Sequence, residues 1–306
     1  MPGKCVAVLT LAMLARPAGA QDLEPRAYSA APIGLNFVLL GYTYSTGDVL
    51  LDPTLPVEDV RATVNALVVG IGRTFNLFGR TALAVAAQPY AVGDVSGRVG
   101  EQAASVSRSG LADSRLKLSM NFLGGRAMTP RDFARAPRST ILGASIAVVP
   151  PVGQYYPARL INLGANRWAF KPEVGISKPI GRWTVDAYGG VWLFTSNDQF
   201  YTGTSHRRQD PIFAAQGHMS YTWRQRLWTA FDVTWYSGGT TTINDVGKAD
   251  LVRNARGGAT LSLPLGGRQQ LKLAYSGAIS TRIGGTFRTI GAAWQFSWLD
   301  RAPSRP

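Results

Sequence analysis

The stretch Ser114–Phe122, "SRLKLSMNF", alternates without a break. Leu116, Leu118, Met120 and Phe122 stand against Arg115, Lys117, Ser119 and Asn121. A period of two marks a strand whose two faces meet different surroundings. In a soluble sandwich the polar face meets solvent and the apolar face the core. An outer-membrane barrel reverses this, because the apolar face meets lipid and the polar face lines the interior.

The N-terminus helps choose between the two. Lys4 supplies a positive n-region, Cys5–Leu14 an apolar h-region, and Ala18-Gly19-Ala20 an A-x-A cleavage site before Gln21. That order reads as a secretory signal peptide over residues 1–20, too short to span a membrane as a helix, followed by one domain over 21–306. Cleavage would remove Cys5, the only cysteine, so the mature chain has no disulfide and no thiolate nucleophile or metal ligand. It would also remove Lys4 and Arg16, leaving 30 basic residues against 18 acidic, a net +12 spread along the chain. For an exported chain the natural counter-charges are outer-membrane lipid phosphates and lipopolysaccharide, and nucleic acid is not an expected partner.

No later segment approaches 18 consecutive apolar residues, charged residues are only 16%, and there are 34 glycines. These values point to an all-β chain. Period-two segments bounded by turn signals fall at about twelve places: 33–45, 60–72, 80–91, 113–122, 139–150, 167–178, 182–195, 212–224, 226–237, 256–265, 269–278 and 288–298. Lengths near ten residues suit tilted strands that cross a bilayer. The alternation is weakest in 60–72 and 80–91, where Val and Ala fall on both faces. Connections alternate between long and short, as an up-and-down antiparallel transmembrane β-barrel requires when it starts and ends in the periplasm. The segment 123–138 breaks this rhythm, and "TPRDFAR" (Thr129–Arg135) predicts a short periplasmic helix there, with Thr129 as cap and Pro130 at the first helical position. All eight tryptophans lie in predicted strands. Six of them (Trp168, Trp183, Trp223, Trp235, Trp294 and Trp298) have lipid-facing parity, and Trp183, Trp223 and Trp298 at periplasmic ends with Trp168 and Trp235 at outer ends form two interfacial girdles.

Several motifs carry a further resemblance. "DLEPRAYSAAPIGLNF" (Asp22–Phe37), "GRVG" (Gly97–Gly100), "SGLADSRLKL" (Ser109–Leu118), "RLINLGANRWAFKPEVGISKPIGRW" (Arg159–Trp183), "RRQDP" (Arg207–Pro211) and "STRIGG" (Ser280–Gly285) resemble the proteobacterial outer-membrane family named after the meta-pathway of phenol degradation. The resemblance implies an outer-membrane barrel of a Gram-negative bacterium that handles aromatic or hydrophobic small molecules. The chain departs from the family in reading Ala112-Asp113-Ser114-Arg115 where Gly-Asp-Pro-Arg is usual, and in an eight-residue tail after Trp298.

By parity the lumen presents Arg115, Lys117, Asn121, Lys171, Glu173, Asp186, Gln216, His218, Asp232 and Lys272. Four cations against three anions give no strong field, so anion selectivity is not compelled. Trp192 and Phe194 on the seventh strand and Tyr236 on the ninth also have lumen parity and lie near the outer mouth, a candidate aromatic binding site. Pro172 between Lys171 and Glu173 cannot donate a ladder hydrogen bond, which makes it either a tolerated bulge or a kink. His218 and Ser220 share a face of strand eight, a spacing that resembles the His-x-Ser of outer-membrane lipases and deacylases. They lack a visible third member and sit mid-strand, away from lipid.

The expectation is a passive or gated channel for small hydrophobic or aromatic molecules, with no cofactor and no metal, inserted by the barrel-assembly machinery. The alternatives are a lipid hydrolase or deacylase using His218 and Ser220, and a plugged structural barrel.

Overall fold

The opening stretch forms a strand with its greasy face outward. Leu118 is 42% exposed, whereas its neighbour Ser119 is 7% exposed and points inside. The computed structural model describes residues 24–51, 57–100 and 102–300. The expected signal peptide, residues 1–20, lies outside them.

Twelve strands form the wall: β1 (Leu35–Leu50), β2 (Val57–Leu77), β3 (Arg80–Val99), β4 (Arg115–Leu123), β5 (Ile141–Val149), β6 (Ala169–Ile180), β7 (Trp183–Phe194), β8 (Ile212–Arg224), β9 (Leu227–Gly238), β10 (Val252–Pro264), β11 (Gln269–Ser280) and β12 (Arg288–Leu299). Each pairs antiparallel with its sequence neighbours, and β1 pairs with both β2 and β12, so the sheet closes. Closure leaves the wall no free strand edge, the requirement hydrocarbon imposes on backbone. At the periplasmic end Asp300 fastens the closing seam by accepting from Asn36 Nδ2 and Arg73 NH2, each at 2.8 Å. Among the described residues no helix is long and apolar enough to cross a membrane.

The periplasmic turns are tight. Phe78 and Gly79 join β2 to β3 with φ of 51° and 76°, the pair of positive values a type I′ hairpin needs. The helix Pro130–Phe133 joins β4 to β5, and Thr129 caps it by accepting from the Asp132 N–H at 3.3 Å. The strands with the weakest alternation, β2 and β3, are the longest, at 21 and 20 residues. They rise past the bilayer with Gln102–Leu111, which pairs along the outer half of β3 where a loop over 92–112 was expected.

The outer connections cross the mouth rather than standing clear of it. The segment between β5 and β6 brings Ile161 against Val49, Val60, Ala62 and Val95, on the far side of the barrel. Asp113, just before β4, accepts from the N–H groups of Gly153 and Ala165, each at 2.8 Å, and so anchors this segment at two points. Burial raises the Asp113 carboxyl pKa from its ordinary value, and these N–H donors pull it back. Asn197–Phe200 and Ser205–Gln209, between β7 and β8, join Thr241–Ile243 and Val246–Gly247, between β9 and β10, in a small second sheet.

Candidate functional site

The interior has two unlike walls. From β4 to β10 it is polar. Arg115, Lys117 and Asn121 lie on β4, Lys171 and Glu173 on β6, Asp186 on β7, Gln216 and His218 on β8 and Asp232 on β9. They share the inward face, as the register and their burial require. Lys272 on β11 also points in, with Nζ 5.8 Å from the ring of Trp228. Several of the charges are paired within the wall. Lys171 Nζ meets Glu173 Oε2 at 2.6 Å, and His218 Nδ1 meets Asp232 Oδ1 at 2.7 Å. Pro172 lies in a gap of the β6–β7 ladder, where the register passes from Phe170↔Leu193 to Glu173↔Gly190.

The N-terminal segment supplies what the polar wall lacks on its own. Glu24 pairs with Lys117 at 2.5 Å, and this lysine holds the Glu24 carboxyl well below the usual carboxylate range. The backbone N–H of Arg26 donates to Asp186 Oδ2 at 3.2 Å, and that of Ala27 to the Tyr188 hydroxyl at 3.1 Å. The Arg26 guanidinium donates to Ser220 Oγ at 2.8 Å and Thr222 Oγ1 at 2.7 Å, and lies 4.7 Å from the Trp228 ring centroid. Tyr28 is 1% exposed, and its hydroxyl reaches Ser145 Oγ at 3.0 Å and Glu173 Oε1 at 3.1 Å. Its ring needs the bare backbone of two wall glycines. A Cβ on Gly143 or on Gly175 would stand 2.4 Å from the Tyr28 ring. The residues before β1 therefore occupy the lumen along the polar wall. Parity reasoning treats only wall positions and so misses Glu24, Arg26 and Tyr28. The available signal was glycine at lumen parity on β5 and β6, since strand-interior glycine marks a close approach.

From β1 to β3 the inward face is mostly apolar, with Thr43, Ser45, Thr74 and Thr81 among its polar positions. Phe37 lies over Gly72 and Leu39 over Gly70. Val64, Val68, Leu83, Val85 and Ala87 have inward register yet remain half-buried, so open lumen runs along this side. Its apolar character explains why β2 and β3 alternate weakly, because there the lumen resembles the lipid.

Toward the outer mouth Trp192 and Tyr236 are packed with Ile212, Ala214, Ala169 and Val252, and Phe194 lies against the same cluster. The rings of Trp192 and Phe194 stack at 6.4 Å with 8° between planes. Cations rim the cluster: Arg115 and Lys171 lie 5.5 and 5.7 Å from the Trp192 centroid, and Arg167 lies 4.3 Å from that of Phe194. A cleft of about 620 Å³ opens at the outer end, lined by Thr46, Asp48, Arg61, Tyr275, Ile279 and Arg288 among others. It lies where β11 runs on past Ser276↔Thr289, the last pair it makes with β12.

Ser220 and His218 are both buried, but the Ser220 hydroxyl takes the Arg26 Nε–H and lies 3.5 Å from the Thr184 carbonyl oxygen. His218 Nε2 has no hydrogen-bond partner in the structure. The serine is thus held by an arginine from the N-terminal segment and not by the histidine two residues away.

The COG4313 outer membrane channel from Pseudomonas putida F1 superposes with a TM-score of 0.76 at 21% identity, over 90% of this chain and all of that one. The beta domain of the Bordetella autotransporter Brka gives 0.54 at 11% identity, over 87% of this chain and all of that one. The transport unit of the autotransporter AIDA-I from Escherichia coli gives 0.50 at 10% identity, over 94% and 96%. At such identities the likeness shows the fold, an outer-membrane β-barrel. No curated protein matches by sequence. The family model described as "Putative MetA-pathway of phenol degradation" matches residues 43–296, most of the chain, and this protein belongs to that family of outer-membrane barrels.

Proposed function

We propose that the protein is a gated channel of the outer membrane for small aromatic and other largely apolar molecules, and not an enzyme. One observation carries the reading: the open side of the lumen is apolar, while the polar side is occupied by the chain's own N-terminal segment. An aqueous pore for ions would show the reverse, with charge facing open space. The cluster of Trp192, Phe194 and Tyr236 at the mouth gives an apolar solute a place to leave water, at about 25 cal/mol per Å² of apolar area buried. The Pseudomonas relative is an outer membrane channel and the family is described by phenol degradation, and both agree with this reading. The segment between β5 and β6 covers the outer mouth, and Glu24 to Tyr28 narrow the lumen, so passage requires movement of one or both.

The test is uptake of toluene into proteoliposomes. Trp192→Ala combined with Tyr236→Ala should slow toluene entry while leaving ion conductance unchanged or raised. If the double variant takes up toluene as fast as the parent, the cluster is packing and the aromatic reading fails. A lipid hydrolysis that vanishes in Ser220→Ala and His218→Ala would instead establish the deacylase alternative.

A further inference from the structure

The polar wall contains one group of atoms that its own network does not complete. Register places Gln216 opposite Thr234, and Thr234 opposite Arg256, across β8, β9 and β10. All three are more than nine-tenths buried, and each keeps unpartnered polar atoms: Gln216 Oε1, Thr234 Oγ1, and Nε and NH1 of Arg256. Gln216 uses its amide on Glu173, at 3.1 Å. Arg256 uses only NH2, which donates to Ser276 Oγ at 3.2 Å and to the Phe287 carbonyl at 2.9 Å.

Arg256 also lacks a counter-charge. Among the described residues no carboxylate forms an ion pair with it. Asp232, on the adjoining strand, gives one oxygen to His218 and the other to Thr260 at 3.1 Å. Lys171 and Lys117, by contrast, each have a glutamate. A buried guanidinium with idle donors and no anion is strongly unfavourable, and such sites are completed by a bound acceptor. Two residues along β9 from Thr234 stands Tyr236, within the aromatic cluster that contains Trp192. A cationic donor array therefore adjoins an aromatic shelf.

We propose that this site takes an aromatic carboxylate, with its oxygens on Arg256 and the Thr234 hydroxyl and its ring against Tyr236 and Trp192. The proposal rests on the channel reading above and narrows it: the preferred solute is an aromatic acid rather than a bare hydrocarbon. An Arg–carboxylate contact is charge-assisted, and burial strengthens it.

The experiment measures benzoate, toluene and chloride binding to the purified full-length barrel in detergent by quenching of tryptophan fluorescence and by calorimetry. The parent should bind benzoate more tightly than toluene, and chloride should not compete at equal concentration. Arg256→Met should lower the preference for benzoate over toluene by on the order of 10- to 100-fold, the worth of a hydrogen bond to a charged group. Thr234→Val should lower it less, by roughly 3- to 10-fold. It serves as the deciding variant if Arg256→Met fails to show the gel-mobility shift of a folded barrel. Benzoate bound no better than toluene by the parent, or an unchanged preference in the folded variants, overturns the proposal. If toluene still binds in a Trp192- and Tyr236-dependent way, only this inference falls. If neither solute binds, the channel reading falls with it.

Discussion

The wall from β4 to β10 and the wall from β1 to β3 are built from the same antiparallel ladder and differ in what their inward residues meet. On the polar wall Lys117 and Lys171 each have a glutamate partner, and much of the pairing serves to hold residues 24–28 in the lumen. On the apolar wall most inward residues are Leu, Val, Ala and Gly, and those around mid-barrel, Val64, Val68, Leu83, Val85 and Ala87, remain half-buried. Period-two alternation measures the contrast between a strand's two surroundings, not the strength of the strand. "SRLKLSMNF" alternates sharply because lipid faces one side and a charged network the other. β2 is longer and closes the barrel against β1, yet alternates poorly because both of its faces are apolar.

The largest effect that would break this comparison comes from the polar wall. Glu173 answers Lys171, Tyr28 and Gln216 at once. Glu173→Leu should cost about 3–5 kcal/mol, because it leaves a buried lysine unpaired. Urea unfolding from lipid vesicles measures it, and a cost under about 1 kcal/mol would mean that the network is water-filled and not a structural tie.

The next effect sharpens the contrast within one strand. Val69 is 54% exposed toward lipid and its neighbour Val68 faces the lumen. Arg at Val69 should cost about 2–4 kcal/mol if it lies near the bilayer midplane, whereas Arg at Val68 should stay within about 1 kcal/mol. Equal costs would show that the apolar inward wall borders packed interior rather than open lumen.

Smaller still is the hold on the N-terminal segment. Arg26→Ala removes the donors to Ser220 and Thr222 and should loosen the segment by about 1–3 kcal/mol. Planar-bilayer recording should then show ion conductance above that of the parent, because the polar wall becomes an aqueous path. Unchanged conductance would place the closure at the outer lid alone.

The Glu24–Lys117 pair should matter least, since Glu24 is 42% exposed. Glu24→Gln is expected to cost about 0–1 kcal/mol. Because Lys117 depresses the Glu24 pKa, the pair's contribution is complete above the ordinary carboxylate range and fades only as pH falls well below it. Conductance should therefore not change between pH 7 and pH 5 through this pair. An acid-induced rise in the parent that Glu24→Gln abolishes would contradict that.

Some of the inward face was legible before the fold was known. Lys171, Glu173, Asp186, His218 and Asp232 could be placed on one face because each lies inside an alternating run, where parity is counted from both directions. Arg256 could not, since the expected strand over 256–265 begins at that residue while the observed one begins at Val252. The strands also run further outward than expected, as in β3, because ladder hydrogen bonds continue above the bilayer where no lipid enforces an apolar face.

What the sequence by itself determined is the local and repetitive part: twelve strands, their in-out parity, the short periplasmic turns and the helix capped by Thr129. Each depends on neighbours one to four residues apart, and one-dimensional order records those directly. What only the tertiary structure decided is which charge meets which, and what fills the barrel. Arg26 finds Ser220 across 194 positions, and Tyr28 finds Glu173 across 145. Such pairings depend on the curvature that closes the sheet and on which side of the lumen is left polar. No local pattern encodes the distance between two walls, so the N-terminal segment, the lid and the uncompensated Arg256 emerge only once the barrel has closed.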